Sequence, residues 1–231
     1  MSRQIGPIHH LMYDKIHYQE SITQALLRAF EAGLQEDIQQ KMPEIAQGEL
    51  ATVIDFSNVH GWLEGQVKLA ERRYAWTVSK LLKRGVSEQE ISQIVKSCAI
   101  DRRPEEIIDA VDALEKLSQI LLDGMPCDQV VEIHDASTRR ISYSVENQVH
   151  APYWLELAED PELFYRLRRA WIETWLEGSG YEFVLVEAAE AGPLFAIQLK
   201  AEQESESNAA TEQARAAKAR ELYQPQCDHE H

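Results

Sequence analysis

Histidine is the side chain in this sequence best suited to chemistry near neutral pH, because it both binds metals and moves protons. His10, Asp14 and His17 fall at i, i+4 and i+7 and would share one face of a helix. Two imidazoles and a carboxylate at that spacing suit zinc or iron once a fourth ligand arrives from elsewhere. His60 and Glu64, themselves i and i+4, are the candidates to supply it, and a metal-dependent enzyme follows as one reading. The helical wheel opposes it, since this face lies nearly opposite Met12 and Ile16 and reads more simply as polar surface. His9 falls beside the apolar side with Tyr13 and Glu20, which predicts a buried, hydrogen-bonded histidine. His134 and Asp135 are sequence neighbours on a predicted strand, where successive residues face opposite ways, so they cannot form an acid–base pair there. His150 follows that strand pair. The terminal Cys227-Asp228-His229-Glu230-His231 carries metal-binding side chains on no scaffold and reads as a solvated end. Serine elbows, phosphate loops and glycine-rich dinucleotide loops are absent, so no motif names a reaction or a cofactor.

A second group is aromatic. Tyr143, Trp154, Phe164, Trp171, Trp175, Phe183 and Phe195 offer large apolar faces, several with a polar edge, and could line a cavity for a flat or hydrocarbon-like ligand. The plainer alternative is a packed core. Arg168 and Arg169 are placed to hold an anionic group at the mouth of such a pocket, although a salt bridge to Glu173 is the simpler use.

The elements that must position these residues are legible from periodicity. Pro7 opens a helix that Gly33 stops, with Ile8, Met12, Ile16, Ile22, Leu26 and Phe30 as its buried stripe. Leu34 to Met42 adds a short helix, and residues 43–56 read as a short strand or a buried loop. Ser57 to Gly85 is the longest segment of one period, apolar at Val59, Leu63, Val67, Ala70, Tyr74, Val78, Leu81 and Leu82. Gly61 and Gly65 within it allow close helix approach, against the first helix or a second copy. Ser87 and Glu90 make a capping box for the next helix, and Pro104 to Leu122 is expected to be another. From Met125 the texture changes to strand-like alternation, with Ile141, Tyr143 and Val145 on one face and Ser142, Ser144 and Glu146 on the other. A helical segment over 152–177 follows, broken near Asp160-Pro161. A second hairpin then turns at Glu190-Ala191-Gly192-Pro193.

The fold class is therefore α+β. A helical region, 1–124, is expected to form one compact unit with a β-β-α-β-β region, 125–200, whose small antiparallel sheet is two hairpins separated by a helix. Residues 201–231 form an acidic tail rich in Ala, Glu and Gln with too few large apolar groups to bury itself; Thr211 to Tyr223 could still be helical, and the tail is expected to be dispensable for folding. A net charge of −16 opposes binding to nucleic acid or anionic membranes. No apolar run is long enough to span a bilayer, and the three cysteines have no paired spacing, which predicts a cytoplasmic protein. A non-catalytic domain that binds a hydrophobic small molecule or a partner protein is the leading reading, with a homodimer expected. The metal enzyme and a scaffold docking through the acidic tail are the alternatives.

The run WIETWLEGSGYEFVLVEAAEAGPLFAIQLK resembles the end of the 4-vinyl-reductase-type hydrocarbon-binding domains and of the related aminothiazoline-carboxylate hydrolase-like proteins. Their helix–glycine–strand order matches Trp171 to Val186, and Leu194-Phe195 falls where those families often carry Cys-Phe. The cysteine is missing here, as is the acidic residue after Gly192. The resemblance reaches back no further than Tyr143. It implies a small-molecule pocket between helices and an antiparallel sheet, and transfers no catalytic residue.

Overall fold

A computed structural model of the chain describes residues 5–30, 33–128, 130–145, 149–189 and 192–201. The helical part comprises α1 (Pro7–Phe30), α2 (Leu34–Lys41), α3 (Leu50–Val53), α4 (Val59–Lys83), α5 (Glu88–Ile100) and α6 (Ala110–Ile120). There follow β1 (Val131–Ala136), β2 (Arg140–Val145), α7 (Ala151–Leu155), α8 (Glu162–Trp175), β3 (Tyr181–Ala189) and β4 (Gly192–Leu199). The fold is α+β, with an antiparallel sheet in the order β1-β2-β4-β3.

Local chemistry explains most boundaries. The Asn58 side chain caps α4 by accepting from the Gly61 N–H, and Gly85, at φ 88°, takes the left-handed conformation that ends it. Ser87 and Glu90 form the full capping box of α5. The 152–177 segment is interrupted as expected, because Pro161 cannot continue the preceding hydrogen-bonding pattern and Ala158 turns left-handed at φ 58°.

Several expectations are corrected. The helix expected from Pro104 starts at Ala110 instead, because Asp109 is the better cap: its side chain accepts from the Asp112 N–H, and Asp112 in turn accepts from the Ile108 N–H. Residues 50–53 are a single helical turn rather than a strand or loop. Ile8 is 47% exposed, since it lies in the first turn of α1, before that helix reaches its neighbours. Ser142 and Ser144, on the strand face opposite Ile141 and Tyr143, are buried as well. β2 is an interior strand, paired on both sides, and the Ser144 hydroxyl lies 2.8 Å from His134 Nε2. The expectations for 202–231, including the helix at 211–223 and the terminal cluster, lie outside the described residues, as do Glu190 and Ala191 of the second turn.

α1 packs along α4, α5 along α8, and α6 lies across β2 and β4 while α8 meets β3. One hydrophobic cluster runs through both halves, joining Leu26, Tyr74 and Val78 to Trp154, Trp171, Ile141 and Phe195. Each such side chain contributes roughly 1.5–3 kcal/mol on burial. Two of the tryptophans also have polar anchors: Trp171 donates to the Tyr18 hydroxyl at 2.8 Å and Trp175 to the Arg102 carbonyl at 2.7 Å. No helix among the described residues is long and apolar enough to cross a membrane.

Candidate functional site

The main concentration of buried charge lies where the helical half meets the C-terminal region. α4 carries Val67, Ala70, Tyr74 and Val78 inward, and Glu71 falls within that stripe, so the helix period drives a carboxylate into the interior. It is 2% exposed. His150, at the start of α7, is fully buried, with Nδ1 3.1 Å from Glu71 Oε2 and Nε2 3.2 Å from Asp123 Oδ1. Arg168 of α8 closes the chain of charges: Nη1 lies 2.5 Å from Asp123 Oδ1, and Nη2 donates to the Leu122 carbonyl at 2.8 Å. The His150 ring stacks on Phe164 at 3.8 Å, and Arg168 lies over the same Phe164 ring, 4.7 Å from its centroid.

Each charge state follows from its neighbours. Burial alone would raise the Asp123 pKa, but Arg168, His150 and Lys15 together hold it well below the ordinary carboxylate range. Burial would likewise strip the proton from His150; the carboxylates of Glu71 and Asp123 outweigh both that and the repulsion of Arg168, and raise its pKa. Burial lowers the pKa of Lys15, against the pull of Asp123.

This charged wall separates two cavities. On one side lies an apolar cavity of about 60 Å³ between α6, α8 and the sheet, with Leu117, Tyr143, Ile172, Phe183 and Phe195 in its lining and Asp123, Tyr165 and Arg168 at its polar end. The Tyr165 hydroxyl is buried with no hydrogen-bond partner among the described residues, and burial pushes its pKa up to about 12. On the other side lies a polar cavity of about 300 Å³, reached by Glu64, Glu71, Asp128, His150 and Tyr153, with exposed His60 and Cys127 on it.

Of the aromatic residues singled out in the sequence, Tyr143, Phe164, Phe183 and Phe195 line the apolar cavity. Trp154 and Trp175 are fully buried in the core, while Trp171 borders only a void of about 20 Å³. Arg169 pairs with Glu173 at 2.7 Å, the simpler of its two expected uses. The metal candidates are not gathered together. His10 and Asp14 are exposed, His17 stands edge-on to Tyr13 at 4.3 Å, Glu64 pairs with Lys68, and His60 Nε2 lies 3.8 Å from Cys127 Sγ. No three His, Cys, Asp or Glu side chains among the described residues converge to hold a metal ion. His9 is half-buried and accepts from the Gly6 N–H at 2.9 Å.

Sequence reasoning missed Glu71, Asp123 and Lys15, and assigned His150 no partner. The signal for Glu71 was present, because a carboxylate one turn from both Val67 and Tyr74 on an apolar stripe must be paired or functional. Nothing local marks Asp123 or Lys15, whose partners come from distant elements. Comparison with known protein families, curated proteins and solved structures finds no match to this chain.

Proposed function

We propose that the protein is a non-catalytic binding domain for a small, mainly apolar molecule, held between α6, α8 and the sheet. The observation that carries this reading is the apolar cavity with a buried, unpartnered Tyr165 hydroxyl in its lining and the Arg168 guanidinium beside it. An unsatisfied buried hydroxyl costs about 1–3 kcal/mol, which a ligand's hydroxyl or carboxylate end offsets. At about 60 Å³, the space is smaller than the 150 Å³ dry cavity that admits benzene. The occupant is therefore slim, such as a short alkyl chain with one polar end. The resemblance of the C-terminal third to hydrocarbon-binding domains points the same way.

Thermal denaturation in a series of short-chain alcohols and carboxylates tests the reading. At a hundredfold excess over its dissociation constant, a true ligand adds about 2.7 kcal/mol of stability, a rise in Tm of about 5–10 °C for a chain of this size. Leu117→Phe, which fills the cavity from α6, abolishes the rise. A series without any saturable shift, or shifts unchanged in Leu117→Phe, defeats the proposal.

A further inference from the structure

Glu71 poses a separate problem on the far side of the charged wall. Both of its oxygens are buried, and no N–H or O–H among the described residues donates a hydrogen bond to either. His150 Nδ1 forms an ion pair with Oε2 at 3.1 Å without an aligned hydrogen bond, and His150 also serves Asp123 through Nε2. A buried carboxylate with no donor is expensive, and this one lines a cavity of about 300 Å³, within the range of small-molecule sites. The other charges reaching the cavity include the His150 imidazolium, which already pairs with Glu71 and Asp123. Asp128 adds a second carboxylate, while Glu64 and Lys68 pair with each other. Tyr153 supplies an aromatic face, and Arg72 already lies over that ring at 5.9 Å.

We infer that this second cavity binds a small organic cation, whose guanidinium or ammonium group donates to the Glu71 carboxylate. A guanidinium fits best, because its two parallel N–H bonds match a carboxylate with both oxygens lacking donors. The site does not depend on the apolar cavity being occupied, since His150 and Phe164 stand between them.

The test titrates the full chain with methylguanidinium, with methylammonium as the second cation and methylurea as the neutral isostere. Binding is read by calorimetry and by the imidazole resonances of His150. The cations produce a saturable shift of His150, and methylguanidinium binds at least about tenfold more tightly than methylurea. Glu71→Gln, which keeps the shape and removes the charge, loses that preference. The assignment is overturned if no cation shifts His150 up to about 10 mM, as solvent alone in the cavity would give. It is equally overturned if methylurea binds as well as methylguanidinium, or if folded Glu71→Gln keeps the wild-type affinity. The His150 titration decides the question in the wild type even if Glu71→Gln does not fold.

Discussion

Two buried carboxylates, Glu20 of α1 and Glu71 of α4, are satisfied in opposite ways. Glu20 of α1 receives a bidentate fork from Arg73, Nε to Oε2 at 2.9 Å and Nη2 to Oε1 at 2.8 Å. Arg73 places Nη1 on the Pro43 carbonyl at 3.0 Å, and Gln24 donates to Glu20 Oε1 at 2.7 Å. Arg73 is 1% exposed and lines none of the three cavities described. Glu71, on the same helix, faces a cavity, has a near neighbour in His150, and lacks a hydrogen-bond donor among the described residues. The first arrangement joins α1 to α4; the second leaves bonding capacity for something else. Burial alone does not distinguish a structural charge from a binding one, whereas the count of satisfied oxygens does.

The largest expected effect breaks this comparison at its structural end. Glu20→Gln strands the Arg73 guanidinium in the interior, where losing one partner of a buried pair costs about 3–5 kcal/mol. Glu71→Gln removes an ion pair with His150 that lacks an aligned hydrogen bond and should cost less, about 1–2 kcal/mol. Urea denaturation of the two variants measures both. Equal losses would mean that Glu71 is as structural as Glu20.

The contrast between the two sites explains what was legible in the sequence. The helices, the two hairpins and the α+β class follow from local periodicity and caps, which is why Ser87 and the Asp160-Pro161 break behave as expected. The burial of Ser142 and Ser144 is not legible locally, because whether a strand is interior depends on pairing with a strand more than forty residues away, as in Ser142↔Ala196. The charged wall was hidden for the same reason. Lys15, Glu71, Asp123, His150 and Arg168 come from five separate stretches of chain, and only the packing of α1, α4, α7 and α8 brings them together. The histidines that were conspicuous by spacing, His10 and His17, share a helix but gather no third ligand among the described residues.

A pH titration sharpens the comparison at intermediate size. His150 faces Glu71 from α4, Asp123 from the segment after α6, and Arg168 from α8, and its pKa is raised in the fold. Between the ordinary histidine value near 6.5 and that raised value, the native state holds a proton that the unfolded chain has released. Its contribution is therefore complete below about pH 6.5 and is lost as pH rises through the folded pKa, by up to about 1.4 kcal/mol per pH unit. Glu71 is the largest raising influence, so Glu71→Gln should move the window to lower pH. Glu20→Gln should leave it in place. Urea midpoints between pH 5 and 9, with the His150 resonances followed in parallel, decide the matter. A window unmoved by Glu71→Gln would assign the raised pKa to Asp123 alone.

Lys15 gives the smallest effect and the finest test of what the wall is for. Its ammonium is drawn towards Asp123 and repelled by Arg168, and burial lowers its pKa, so desolvation outweighs attraction. Among the described residues it makes neither an ion pair nor a hydrogen bond. Replacing such a charge by an apolar side chain of similar length is often neutral or stabilising. Lys15→Met should therefore change stability by less than about 1 kcal/mol, because Asp123 keeps both Arg168 and His150. A loss of several kcal/mol on denaturation would show that Asp123 needs a third cation, and that the wall is built for stability in the manner of Glu20 and Arg73. A neutral result leaves Asp123 satisfied by two partners and Glu71 the member of the wall with capacity to spare. It is the pattern expected where a fold holds a carboxylate ready for a ligand.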